Sequence, residues 1–132
     1  MKAGGAMEKS RVWTALAGVN GLMAVAAGAF GAHGVHDADV RALLHTGSQY
    51  QAMHAVAALA CLGLLGSTTA TARWTSGLFG MGGLIFGGSL YILALSGVKL
   101  WGAVTPVGGL LLLAGWAVVI WTALVGRMEP TP

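Results

Sequence analysis

Histidine is the residue type in this sequence best suited to chemistry, and every copy falls in the first half of the chain. The four are His33, His36, His45 and His54. Neutral imidazole binds transition metals and haem iron, so a metal- or haem-binding redox membrane protein is one hypothesis. The spacing matches no metal motif, because His33 and His36 are three residues apart whereas an H-E-x-x-H helix places its ligands four apart. We therefore predict no cofactor, with haem or a transition metal kept as the alternative.

A second group of polar side chains gathers at the same end of the predicted helices as the histidines. It comprises His33, Tyr50, Gln51, His54 and Tyr91. We expect these side chains to bind a lipid, a small ligand or a partner subunit, with His33 and His54 joining the first two helices through hydrogen bonds. The alternative is purely structural, since His and Tyr near helix ends also bond backbone carbonyls at the depth of the lipid headgroups.

No catalytic constellation is present in the sequence. It contains no CxxC, P-loop or G-x-S-x-G motif and no catalytic pair of carboxylates, and Cys61 lies alone in an apolar run. The middle of each apolar stretch lacks Asp, Glu, Lys and Arg, whereas a proton-coupled pump usually needs such a group. We expect a non-enzymatic protein, and a small transporter or channel that works as an oligomer stays an alternative.

The composition indicates that this chain is solvated by lipid. Of its 132 residues, 56% are hydrophobic and 8% are charged, compared with about 25% charged residues in soluble domains. A soluble domain and a disordered chain are therefore excluded. Nucleic acid is not expected as a partner, because the seven Lys and Arg residues are scattered and form no basic stripe.

The charged residues divide the chain into four long uncharged stretches, each able to hold the roughly 20 apolar residues of a transmembrane helix. We predict helices over residues 12–32, 50–66, 75–97 and 106–125. The last begins there because Thr105 can cap a helix and Pro106 suits a first turn. The predicted fold is an all-α integral membrane protein, a four-transmembrane-helix bundle with one domain over 12–126. Residues 1–11 and 127–132 would be a cytoplasmic segment and a cytoplasmic tail.

The segment between the first two predicted helices has the pattern of a short amphipathic helix. Asp37 or Asp39 can cap its start by accepting bonds from free backbone N–H groups. Apolar residues follow at i, i+3 and i+4 spacing, and Gly47 is a plausible end. We expect this helix on the outer membrane surface, and an ordinary polar loop is the alternative.

Small residues recur at helical spacing in the first and third predicted helices. They are Ala17, Gly21, Ala24, Gly28 and Gly31 in the first, and Gly80, Gly83 and Gly87 in the third. In lipid, small residues let helix backbones approach closely, and a repeat near 3.5 residues keeps them on one face. We predict that both faces are buried against helices of this chain or of a second copy. Asn20, in the middle of the first helix, is expected to fix helix register through interhelical hydrogen bonds.

The distribution of positive charge predicts the orientation. Lys2, Lys9, Arg11, Arg73 and Arg127 fall on one side of the four-span arrangement, and Arg41 and Lys99 fall on the other. By the positive-inside rule both termini then face the cytoplasm. The first stretch could alternatively be a signal peptide, but its apolar part is too long and favours an uncleaved helix.

Two segments resemble the signature of the YgdD-like family of small membrane proteins. They are GAFGAH at 28–33 and YQAMHA at 50–55, and GGSLY at 87–91 and TPVGG at 105–109 agree with the family as well. The resemblance implies a four-span, multi-pass protein of the bacterial inner membrane, with relatives in mitochondria and no established activity. It marks Gly31 and the polar residues at 33, 50, 51 and 54 as motif positions. The partners it leaves open are the lipid bilayer, a second copy and another membrane subunit.

Overall fold

The computed structural model describes residues 2–126, with side chains from residue 4 onward. In this part of the chain there are four α-helices and no strand: α1 Lys2–Gly34, α2 Ala38–Leu64, α3 Ala70–Ser96 and α4 Leu100–Val125. Connections of three to five residues make consecutive helices antiparallel neighbours. The predicted all-α bundle is therefore confirmed, and the predicted tail over 127–132 lies outside the described residues. Connections 35–37 and 97–99 define the first-loop end of the bundle, and connection 65–69 defines the second-loop end.

Three helices of the described chain, α1 from Gly4 onward, α3 and α4, are long and apolar enough to cross a membrane. α2 is more polar, because it carries charged residues in its first turns and amides and histidines further on. It nevertheless runs antiparallel to α1 over the same depth. Leu44 packs near Gly31 at the end of α1, and Gln51 reaches Asn20 halfway along it. α2 therefore lies alongside α1 within the bundle, where Gln51 and His54 are buried and the polar side chains of its first turns are exposed.

The predicted short amphipathic helix is not a separate element, since its residues form the beginning of α2. Asp37 caps α2 as expected, and its carboxylate accepts a hydrogen bond from the Val40 N–H at 2.9 Å. The prediction that Gly47 ends a helix is wrong. Gly47 is buried inside α2, where an added Cβ would lie 2.6 Å from a ring carbon of Tyr91. The close approach of α3 explains this glycine, and its packing offsets the helix-propensity cost of about 1 kcal/mol.

α1 and α4 begin earlier than predicted. α1 begins at Lys2 rather than at residue 12, because charged residues limit the membrane-buried part of a helix and not the helix itself. α4 begins at Leu100, so that Thr105 is no cap and Pro106 lies inside the helix. The Thr105 hydroxyl bonds the Trp101 carbonyl at 3.2 Å and lies 2.8 Å from Ser89 Oγ of α3. It therefore ties the proline-containing turn, which lacks one backbone donor, to the neighbouring helix.

α3 lies at the centre of the bundle and packs against each of the other helices. A small apolar core forms around it from Ala17, Ala58, Cys61, Phe79 and Leu112. The backbones of α3 and α4 come closest at Gly108, where an added Cβ would lie 2.8 Å from Phe86 Cα and 2.9 Å from the Gly82 carbonyl oxygen. Such close approach supplies the van der Waals contact that drives helix association in lipid.

The small residues of α3 lie beneath larger side chains of α1 and α2. An added Cβ would come within 2.6 to 2.8 Å of Leu16 at Gly80, of Asn20 at Gly83 and of Gln51 at Gly87. These glycines therefore provide the space that the side chains of the neighbouring helices occupy.

The residues of α1 that pack against the other helices are not all the predicted small ones. Ala17 and Ala24 are buried, and Gly28 and Gly31 lie against side chains of α2. An added Cβ at Gly21 would meet nothing within 4 Å. Asn20, and not Gly21, makes the contact at this level, because the Asn20 side chain points to α2 and α3.

Candidate functional site

A chain of polar side chains, buried at Asn20 and Gln51 and half-buried at Tyr91, links α1, α2 and α3 near the middle of the bundle. The Tyr91 hydroxyl donates to Gln51 Oε1 at 2.7 Å, and Gln51 Nε2 donates to Asn20 Oδ1 at 2.9 Å. Asn20 Nδ2 in turn donates to the carbonyl oxygens of Leu16 at 2.9 Å and Gly80 at 3.1 Å. Because the amide groups bond one another and the backbone, this network holds the three helices in register.

His54 forms a second polar link, between α2 and α4. Its Nδ1 lies 2.7 Å from the Tyr50 carbonyl oxygen, and the Trp116 indole N–H donates to its Nε2 at 3.0 Å. Nε2 can accept this bond only when it carries no proton, so these partners assign the proton to Nδ1 of a neutral ring. Phe79 packs against the same imidazole, with ring centroids 5.5 Å apart. The buried His54 therefore joins two helices in one tautomer.

Replacing Trp116 with phenylalanine is expected to lower the free energy of unfolding by about 1–2 kcal/mol, because the buried Nε2 of His54 loses its donor. Thermal unfolding in detergent measures this loss, and the ¹⁵N chemical shifts of His54 should report the Nδ1–H tautomer in the unmodified protein. The matched control is Trp121→Phe at a lipid-facing position, which should change stability by less than about 0.5 kcal/mol. Equal stability of the two variants would remove the assigned role of the indole.

The structure separates the side chains that the sequence placed together. Gln51, His54 and Tyr91 point into the bundle, whereas His33, His36 and His45 are exposed at the first-loop end. The expectation that His33 and His54 join the first two helices is wrong for His54, which bonds Tyr50 within α2 and Trp116 of α4. Tyr50 is 45% exposed and packs against Phe86. Among the described residues no three His, Cys, Asp or Glu side chains form a group that could hold a metal.

A groove of about 660 Å³ opens on the surface of the bundle near the second-loop end. Its apolar surface comes from Trp13, Trp74, Leu78, Met81, Ile85 and Leu111. Lys9 and Arg73 line the end nearest connection 65–69, which we call its mouth. Cavities of about 300–1,000 Å³ are typical of small-molecule sites. Size and lining therefore make this groove the best candidate site in the described part of the chain.

The groove arises from the way two helices lie on α3. α1 and α4 both pack against α3, and no extensive interface joins them in the described residues. An added Cβ at Gly77 would lie 3.3 Å from a ring carbon of Trp13. The indole thus rests directly on the α3 backbone and forms part of the groove floor.

A smaller cavity of about 340 Å³ lies between α1 and α2 at the first-loop end, with Arg41 and His45 in its lining. The Arg41 guanidinium already bonds the Val35 carbonyl oxygen, through Nη2 at 2.6 Å and through Nε at 3.2 Å. The Arg41 side chain therefore helps to close the first connection.

Sequence reasoning missed the larger groove, because its residues come from three helices that are distant along the chain. One signal was available. Lys9 lies one helical turn from Trp13, and Arg73 is next to Trp74. Lys9 and Arg73 were expected on the same side of the membrane, and aromatic side chains also accumulate at its surfaces.

Comparison with known proteins identifies the family. A family model described as a protein of unknown function, DUF423, matches residues 27–109. The UPF0382 inner membrane protein YgdD of Escherichia coli K12 is 40% identical over 121 residues, which cover 84% of this chain and 88% of the relative. A UPF0382 membrane protein of Staphylococcus saprophyticus is 37% identical over 113 residues, covering 83% of this chain and 94% of the relative. No solved structure matches the chain. The chain therefore belongs to the DUF423 family of membrane proteins of unknown function, as its GAFGAH and YQAMHA motifs indicate.

Proposed function

We propose that this membrane protein binds a lipid in the groove between α1, α3 and α4, and that its role is non-enzymatic. The observation that carries the proposal is the combination of a lipid-facing apolar groove with cationic side chains at its mouth. The buried amides and His54 already bond groups within the bundle, which favours a structural role for them over a catalytic one.

The dimensions of the groove suit one acyl chain. From Arg73 to Ile85 the lining advances twelve residues along α3, or about 18 Å at 1.5 Å per residue. One leaflet contributes about half of the 30 Å hydrocarbon thickness. A chain bound along this path would therefore run from the headgroup level to the middle of the bilayer, against Leu78, Met81 and Ile85.

The groove mouth also fits the orientation expected from charge. Both cations at the mouth belong to the side that is richer in Lys and Arg. We propose that both termini face the cytoplasm, so that the groove would receive a lipid of the cytoplasmic leaflet. The E. coli relative, named an inner membrane protein, is compatible with this location.

Filling the groove should weaken lipid binding. Met81 lines the groove and is 44% exposed, so that Met81→Trp places an indole where the acyl chain would lie. Losing contact with about two methylene groups, at about 0.8 kcal/mol each, weakens binding by about tenfold. Native mass spectrometry of delipidated protein, titrated with phosphatidylglycerol or phosphatidylcholine, measures the affinity and the number of lipids retained.

The matched control for this experiment is Leu95→Trp. Leu95 lies on the same helix and is exposed, but it does not line the groove. It should retain the lipid with unchanged affinity. Equal binding by both variants, or the absence of any retained lipid in the unmodified protein, would contradict the proposal.

A further inference from the structure

We infer that the lipid in the groove is an anionic phospholipid whose phosphate lies between Lys9 and Arg73 while one acyl chain follows α3. The inference rests on the lipid-binding function proposed above and adds the chemical class of the headgroup. The groove takes its cations from two separate helices, α1 and α3, which converge at its mouth. Lys9 and Arg73 are thus brought to one groove by the fold, although they are far apart in the sequence.

The charges at the mouth have one sign. Among the described residues that line the groove, Lys9 and Arg73 are cationic and none is acidic. These cations would repel the ammonium of a zwitterionic headgroup, whereas both attract a headgroup with a net negative charge. Basic pockets between transmembrane helices recognise anionic lipid headgroups in this way.

The Arg73 side chain is held at the mouth by the protein. Its Nη1 donates to the backbone carbonyl of Thr68 in the connection before α3. This bond fixes the guanidinium at the second-loop end, and guanidinium groups can bind phosphate oxygens with two parallel hydrogen bonds. Lys9 on α1 adds a point charge on a flexible stem to the same lining, so that a phosphate at the mouth would be attracted by both cations.

The depth of the two cations agrees with a phosphate ligand. Trp13 and Trp74 lie within about one helical turn of them, and tryptophan accumulates at the membrane interface, where headgroups lie. The deeper lining, Leu78, Met81, Ile85 and Leu111, is apolar. Positive charge at the interface above an apolar channel matches the two parts of one phospholipid molecule.

The test compares phosphatidylglycerol with phosphatidylcholine of identical acyl chains, titrated onto the delipidated full-length protein and measured by native mass spectrometry. The unmodified protein should bind phosphatidylglycerol about 30-fold more tightly, since each basic residue near an anionic surface contributes about 1 kcal/mol. The double variant Lys9→Gln/Arg73→Gln should lose this preference and keep the affinity for phosphatidylcholine. Lys9→Gln alone, which leaves the Arg73–Thr68 bond intact, should lose about fivefold.

The control removes the same charge elsewhere. Arg11→Gln/Lys99→Gln alters two exposed residues outside the groove lining and should keep the full preference. Equal affinity of the unmodified protein for the two lipids, or equal preference in the two double variants, overturns the headgroup assignment. The proposed lipid binding survives that result if Met81→Trp still weakens both lipids. Failure of the unmodified protein to bind either lipid overturns both proposals.

Discussion

Gly108→Ala is expected to lower the free energy of unfolding by about 3 kcal/mol, although it adds a single methyl group. That methyl group would overlap the backbone of Phe86 and the carbonyl oxygen of Gly82. Backbone atoms cannot rotate out of the way as a side chain can, so α3 and α4 must separate. Overpacking typically costs about 1–3 kcal/mol, and a rigid neighbour puts this site at the upper end. Thermal or chemical unfolding of the purified protein in detergent measures the loss.

The adjacent glycine provides the control for this substitution. At Gly109 an added Cβ would lie 3.8 Å from the Phe86 ring, an ordinary van der Waals distance. Gly109→Ala should therefore be neutral or stabilising, because alanine favours a helix interior by up to about 1 kcal/mol over glycine. Comparable destabilisation by both alanines would show that the close α3–α4 contact is not the cause.

Gln51→Leu is expected to cost about 2–3 kcal/mol, because it breaks the buried network at its central member. The Tyr91 hydroxyl and Asn20 Oδ1 both lose their partner, and a buried polar group without a partner costs about 1–3 kcal/mol. Interhelical hydrogen bonds in membranes average only about 0.6 kcal/mol, but this substitution leaves two groups unpaired at once. The unfolding free energy in detergent again gives the measurement.

Two further measurements distinguish loss of the hydrogen-bond network from the general effect of replacing a glutamine with leucine. Gln49→Leu, two residues away and exposed, should leave stability nearly unchanged. Tyr91→Phe should cost about 1 kcal/mol in the unmodified protein and almost nothing in the Gln51→Leu background, where its hydroxyl has no acceptor. Strict additivity of the Gln51 and Tyr91 substitutions would contradict the network, since interacting residues must show a coupling energy.

Several parts of the fold could be predicted because they depend on local sequence. The cap at Asp37 requires only a carboxylate close to free N–H groups, and the structure contains it. The glycines at 80, 83 and 87 of α3 could be predicted to allow close packing, since residues three and four apart share a helix face. The end of a helix at Gly47 could not be judged in this way. Gly47 is required by the close contact with Tyr91, which lies far away in the sequence.

The candidate sites show the same division. Asn20, Gln51, His54 and Tyr91 stand out in the sequence as polar residues in apolar helices, but nothing in their spacing says which of them bond one another. Trp116 was not recognised as the partner of His54, although the two lie 3.0 Å apart between their nitrogens. A tryptophan in an apolar helix has the same sequence pattern whether it faces lipid or a neighbouring helix.

The sequence by itself determined that this is a membrane protein, that it is helical and to which family it belongs. Hydropathy, charge and motifs are properties of each segment alone. Only the tertiary structure decided that Gln51 lies between Tyr91 and Asn20, that His33 and His54 remain apart, and that Lys9 and Arg73 meet at a groove. These outcomes depend on how each helix is rotated and how closely it approaches α3. Rotation and approach are set by many small contacts between distant residues, such as that of Gly108 with Phe86, and no single stretch of sequence contains them.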